Sequence, residues 1–303
     1  MHMHQMIRST LPAPEFTMSP IVAGVWRMAD WRWSPQERLR WIEACLEMGV
    51  TTFDHADIYG GYTVEALFGE ALALAPSLRD RMQLASKCGI CLTSDHRPSH
   101  RLKHYDTSFA HIVGSVEHSL RNLQVEQLDL LMLHRPDALM DADVVAEAFT
   151  HLQLMGKVGH FGVSNFTTMQ FDLLASRFPL VTNQIELHPL HLTPLSDGTL
   201  DQCQQHRIRP MIWSPLAGGR LMTSDDAVAV RVREALASVG ARHGVSVATM
   251  AFAWLLRHPS HPVPVTGSRR IDAMREAVAA QSVTLDAQDW TQIWSAATGH
   301  EVP

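Results

Sequence analysis

The sequence predicts a single-domain α/β protein, a (β/α)8 TIM barrel with extra loops and a C-terminal helix. Three observations carry this reading. Eight short apolar, β-rich runs recur along 303 residues, amphipathic segments separate them, and no Pro/Gly/Ser linker or charge block marks a boundary. Periodicity alone also suits a doubly wound sheet, but eight βα repeats favour closure, and barrels run from about 200 to more than 400 residues as one unit. We therefore expect 1–303 to form one domain, with 1–16 as a flexible or hairpin N-terminal segment.

In chain order the expected strands are Ile21 to Trp26, Thr51 to Asp54, Met82 to Lys87, Leu128 to His134, His160 to Val163, Val181 to Ile185, Pro210 to Trp213 and Val263 to Thr266. Consecutive apolar residues, as in Leu130-Leu131-Met132-Leu133, suit a parallel sheet covered by helices. The first helix carries clear end signals. Ser34 and Glu37 have capping-box spacing, Pro35 sits in the first turn, and Gly49 follows Met48 as a C-cap. A later helix, from about Asp106 to Leu123, aligns Ile112, Val116, Leu120 and Leu123 on one face. Between these helices, Cys88 to Tyr105 is a long polar loop where a short one would suffice, so it is a candidate for ligand contact. The last helix should end near Trp294 to Ala297, leaving little chain to cover a pocket.

Composition narrows the function. With 46% hydrophobic and 18% charged residues the chain can bury a core, and a net charge of −6 offers no footprint for nucleic acid or an anionic membrane. Met1 to Phe16 lacks an apolar signal core, and the most apolar stretch, Val245 to Leu256, is shorter than the ~20 residues of a span. Cys45, Cys88, Cys91 and Cys203 are too few for a disulfide scaffold and fit a reducing compartment. The expectation is a cytoplasmic protein, a monomer by default.

Barrel enzymes place their chemistry at the C-terminal ends of strands. The second expected strand ends in Asp54 and leads to Tyr59, the third ends in Lys87 and the fourth in His134. Alone, the Asp could cap a helix, the lysine could be solvated, and one of 18 histidines could satisfy a backbone group. At consecutive strand ends they suit carbonyl chemistry. A phenol titrates near ~10, and an adjacent ammonium should lower that value and make Tyr59 a better acid. Asp54 would be the counter-ion of Lys87, and His134 would donate to the substrate oxygen.

These segments resemble the aldo-keto reductase superfamily. Phe53-Asp54-His55-Ala56-Asp57-Ile58-Tyr59-Gly60 is similar to its Asp/Tyr signature, Ser86-Lys87 to its Lys segment, and Leu130 to His134 to its His segment. The likeness continues through Gly162 to Phe166, Asn183-Gln184 and Trp213 to Leu216, spanning about Gly24 to Ala277. His134-Arg135-Pro136-Asp137 is most similar to bacterial YdhF-type members, largely known as predicted oxidoreductases. The resemblance implies NADP(H)-dependent reduction of an aldehyde or ketone, a small-molecule carbonyl substrate, with the cofactor extended across the barrel mouth.

By matching position, Ser164, Asn165 and Gln184 would hold the nicotinamide amide and Trp213 would stack on its ring. Ser214, Leu216 and Gly218 would line the pyrophosphate path and Gly267, Ser268, Arg269 and Arg270 the adenosine end, with Gly24, Val25, Trp26 and Arg220 also expected to bind the cofactor. Ala273 and Ala277 depart from the Arg and Asn common in relatives, so Arg269 and Arg270 are the expected phosphate ligands. No G-x-G-x-x-G follows a strand, since Gly156, Gly159 and Gly162 have another spacing.

Two further patterns are set aside. Cys88-x-x-Cys91, with His96, His100 and His104 downstream, does not open a helix as redox pairs do, and zinc would need further ligands. His2-Met3-His4 mimics the motif of metal-dependent barrel hydrolases but follows no strand. No metal is expected. The rival function is a cofactor-sensing protein with little turnover. Trp26, Trp31, Trp33, Phe166 and Trp213 suggest an aromatic, permissive pocket.

Overall fold

The computed structural model describes residues 16–301. Its ten strands are β1 (Val22–Gly24), β2 (Thr52–Asp54), β3 (Gln83–Cys88), β4 (Ile90–Cys91), β5 (His104–Tyr105), β6 (Leu128–Leu133), β7 (Val158–Ser164), β8 (Asn183–Glu186), β9 (Met211–Trp213) and β10 (Val263–Thr266). Eight form a closed parallel barrel in the order β1-β10-β9-β8-β7-β6-β3-β2, which is chain order with the β4–β5 hairpin left out. All eight expected strands are present. The first is shorter than expected: Val25 donates to Asp54 O, and the chain then leaves the sheet before Trp26.

Side-chain alternation sorts the core into two layers, because successive residues of a strand point to opposite faces. Val22, Ala85, Leu130, Met132, Met211 and Val263 belong to a cluster inside the barrel. Their neighbours Ala23, Leu84, Leu131, Phe161, Val163 and Ile212 join the larger cluster between barrel and helices. At the N-terminal end the Phe16 ring lies 4.9 Å from His160 and helps to close the barrel floor.

The helices begin where short polar side chains can take up their free N–H groups. In the helix Pro35–Glu47 the Ser34–Glu37 capping box is formed in both directions. The helix Phe109–Leu123 starts three residues later than the sequence suggests. Ser108 is its N-cap, and Asp106 accepts from the Ser108 N–H. The same logic recurs with Asp141, which caps the thirteen-residue helix Ala142–Leu154. The C-terminal helix, Ala287–Thr298, ends within a residue of its expected place.

The long loop after β3 contains the hairpin, with Ile90 opposite Tyr105 and Cys91 opposite His104. Among the described residues no helix is long and apolar enough to cross a membrane. The same restriction applies to metals, for which no set of three His, Cys, Asp or Glu side chains gathers. His2 and His4 lie outside the described residues.

Candidate active site

Alternation also fixes what faces the barrel mouth. Two residues beyond Ala85 comes Lys87, two beyond Met132 comes His134, two beyond Met211 comes Trp213, and two beyond Val22 comes Gly24. Each keeps the inward face of its strand and rises one layer toward the C-terminal end.

Lys87 is fully buried, and its Nζ donates to Asp54 Oδ1 and Oδ2 at 2.8 Å, to His55 O at 2.8 Å and to Tyr59 OH at 3.0 Å. Burial works against the ammonium, but Asp54 and Tyr59 outweigh it and raise its pKa above the ordinary lysine value. The charge thus stays at neutral pH. Asp54 is held from its other side by Gln184, whose Nε2 donates to Oδ1 at 2.9 Å. An isolated buried ammonium would be costly, and this cage of acceptors offsets the cost.

Tyr59 behaves differently from the sequence expectation. Burial pushes its pKa up, Lys87 offsets only part of that, and the net direction is upward. The phenol therefore keeps its proton at neutral pH, with Lys87 beside the oxygen to stabilise the anion once that proton leaves.

The ring of His134 packs edge-on against Tyr59, centroids 5.9 Å apart. Burial, aided by Lys87 and Arg135, holds its pKa well below the ordinary value, so the imidazole is neutral. Its Nδ1 is buried without a partner, which leaves Nε2 as the nitrogen to carry the proton.

A polar relay rims the neighbouring strand ends. Ser164 Oγ donates to Gln184 O at 3.0 Å, Asn165 Nδ2 donates to Ser164 Oγ at 2.8 Å, and Trp213 Nε1 donates to Asn165 Oδ1 at 3.0 Å. The Trp213 ring is thereby fixed edge-first and half-buried. Asn165, Ser214 and Ala217 hold positive φ of 58°, 51° and 55°, beside Gly218 at 65° and Gly219 at 105°. Non-glycine residues pay about 1–2 kcal/mol for this conformation, and such strain gathers at ligand sites.

Across the mouth, β1 and β10 come so close that a Cβ on Gly267 would lie 2.3 Å from Gly24 O. Glycine is required there. Arg269 and Arg270 are exposed at the start of the helix Ile271–Ala279 and pair with no carboxylate among the described residues. Trp41 Nε1 donates to the Ser268 backbone oxygen at 3.0 Å, while exposed Arg220 lies 3.5 Å from Asp226.

Several expected residues have other surroundings. Val25 is wholly buried against the helices and can offer the site only its backbone. Gln184 donates its amide N–H to Asp54 and so also steadies the ion pair. Trp31 and Phe166 are core residues, Trp31 sandwiched near Trp33 and Trp41 at 4.8 and 5.1 Å, whereas Trp26 is 59% exposed and Leu216 packs against the core. Cys88 and Cys91 are buried thiols pushed upward by burial, Cys91 to about 11.

Four neighbours of the site were given no role from sequence. His55 is buried with both ring nitrogens unpartnered, Asp57 and Glu65 form a buried acidic pair, and Arg135 stands at the mouth. Only Arg135 left a readable signal, a cation directly after a strand-end His. A cavity of about 890 Å3 opens elsewhere, at the N-terminal ends of β3 and β6 near Arg79 and Gln83, away from all these groups.

Comparison with known proteins agrees with this geometry. The profile of the Aldo/keto reductase family matches residues 20–298. The chain is 51% identical to oxidoreductase YdhF of Escherichia coli K12, over 99% of this chain and 100% of that protein. It is 44% identical to a 6-dehydroglucose reductase of Agrobacterium fabrum, over 94% of this chain and 96% of the other. An aldo/keto reductase from Klebsiella pneumoniae, solved with NADP and acetate, superposes with a TM-score of 0.74 at 27% identity, covering 91% of this chain and 90% of its own. With its barrel, its caged lysine and a family match over most of its length, the chain belongs to the aldo/keto reductase family of oxidoreductases.

Proposed function

We propose that the protein reduces a small aldehyde or ketone to an alcohol with NADPH, working as one barrel domain in the cytoplasm. The observation that carries the reading is Lys87 Nζ, shared between both Asp54 oxygens and the Tyr59 hydroxyl. That arrangement keeps a protonated phenol beside a fixed cation, which is what proton delivery to a carbonyl oxygen requires.

The residues at the mouth fit a dinucleotide. Trp213 offers a flat face held by Asn165, the Ser214 to Gly219 turn offers positive-φ backbone with small residues, and Gly24 and Gly267 leave room at the β1–β10 seam. When bound, the cofactor supplies the hydride. Ser164, Asn165 and Gln184 are the candidates for the nicotinamide amide, with Gln184 also steadying Asp54. Ser214, Leu216, Gly218 and Arg220 lie along the pyrophosphate path, and Ser268, Arg269 and Arg270 stand at the adenosine end. Tyr59 donates the proton to the carbonyl oxygen, Lys87 and Asp54 stabilise the phenolate left behind, and neutral His134 donates from Nε2 to the same oxygen.

The name of the Agrobacterium relative supports a hydroxylated aldehyde as substrate. The test is NADPH oxidation with a panel of aldehydes, ketones and dicarbonyls, run on the parent and on Tyr59→Phe. Turnover by the parent that falls about 10²- to 10⁴-fold in the variant, with NADPH affinity retained, is the expected result. Tight NADPH binding with no turnover of any carbonyl defeats the reductase reading in favour of cofactor sensing.

A further inference from the structure

Arg135 leaves β6 immediately after His134 and is half-buried at the mouth. Its Nη1 donates to His134 O at 2.7 Å and to Ser164 Oγ at 3.3 Å, and its guanidinium carbon lies 5.8 Å from the Trp213 ring centroid. Nη1 is thus spent on the protein. Nε and Nη2 donate to no group among the described residues, and no carboxylate there forms an ion pair with the side chain. Burial disfavours this cation, and the groups that support it are Tyr59, Tyr105 and Glu186.

Glu186 follows Gln184 by two residues on β8 and pairs in register with Trp213, so it shares the inward face and rises to the rim. One carboxylate oxygen accepts from His188 Nε2 at 3.0 Å. The other accepts no hydrogen bond among the described residues. One strand, β7, separates β6 from β8, so a donor pair beside His134 and an acceptor opposite Trp213 stand on the same stretch of the rim.

A partly dehydrated guanidinium and a carboxylate on one rim match a group that both accepts and donates. A hydroxyl does so. An apolar aldehyde would cover both charges and satisfy neither, and an anionic one would meet Glu186. We propose that Arg135, with Glu186 opposite, selects carbonyl substrates that carry hydroxyl groups close to the carbonyl. The proposal rests on the reductase reading and names its substrate class.

The experiment compares kcat/KM for D-glyceraldehyde, butanal and succinic semialdehyde in the parent, Arg135→Met and Glu186→Gln, with the NADPH dissociation constant measured by its fluorescence. Methionine keeps the length and apolar stem of the side chain, and circular dichroism checks that each variant folds. The expected result is that the D-glyceraldehyde to butanal ratio falls about 10- to 100-fold in Arg135→Met, chiefly through KM, and falls in Glu186→Gln as well. An unchanged ratio overturns the proposal. So does an equal loss for both aldehydes that tracks weaker NADPH binding, which would make Arg135 a cofactor residue. A loss greatest for succinic semialdehyde would assign the cation to an anionic substrate instead. A parent that oxidises NADPH with none of the three defeats the reductase reading itself.

Discussion

Beneath the Asp54–Lys87 pair, the imidazole of His55 packs edge-on against Phe68 with ring centroids 4.6 Å apart, and neither nitrogen finds a partner. Burial, reinforced by the charge of Lys87, lowers its pKa to about 3. The unfolded chain binds that proton near ~6.5, so the stability His55 confers is complete above that pH and is lost as pH falls from there toward the folded value. The slope is about 1.4 kcal/mol per pH unit. His55→Phe should therefore flatten acid destabilisation by about 2 kcal/mol between pH 6.5 and pH 5. Urea unfolding of parent and variant at both pH values checks this, and equal acid sensitivity would show that His55 is hydrated or paired in solution. At this scale the sequence was readable wherever chemistry coincided with a strand end, as for Asp54, Lys87 and His134. It was silent on partners. Nothing in the order of residues shows that Gln184 turns its amide to Asp54, 130 positions away, or that desolvation of Tyr59 exceeds the pull of Lys87.

Among the elements, the barrel strands were legible because each is a continuous apolar run between turn signals, and the helix Pro35–Glu47 because its capping box is local. The hairpin Ile90–Cys91 with His104–Tyr105 was not, since two-residue strands carry no periodicity. It nevertheless explains the two cysteines. Cys88 closes β3 and its carbonyl accepts the His134 N–H at 2.9 Å, while Cys91 pairs in the hairpin with its sulfur 3.9 Å from His111 Nε2. Both are structural, and thiols pushed above their ordinary pKa are poor nucleophiles at neutral pH. Cys88→Ala with Cys91→Ala should keep kcat within about twofold while losing about 1–2 kcal/mol of stability from the lost packing. Steady-state kinetics on the folded double variant, with thermal unfolding alongside, decides it. Loss of turnover without unfolding would give a thiol a step in the reaction.

Taken whole, the molecule brings residues from all along the chain to one end, and the charge distribution there bears on which dinucleotide it prefers. The net charge is −6, yet the rim after β10 carries Arg269 and Arg270, both exposed and neither paired with a carboxylate among the described residues. They sit at the N-terminal end of the helix Ile271–Ala279, where the helix dipole disfavours cations by a few tenths to about 1 kcal/mol and favours an anion. Two arginines at such a position are readily understood if a phosphate completes the site. NADPH and NADH differ by the 2′-phosphate alone, and a charge-assisted hydrogen bond contributes about 1.5–3 kcal/mol, or one to two decades in affinity. Buried Ala277 and small Ala273 provide no competing donor from the next turns. The parent should thus bind NADPH at least tenfold more tightly than NADH, and Arg269→Ala or Arg270→Ala should narrow that gap while barely altering NADH. Dissociation constants at fixed, moderate ionic strength are the measurement, because salt screens exposed charges. If NADH binds as tightly as NADPH, or if neither substitution changes the gap, the 2′-phosphate is not read by these arginines.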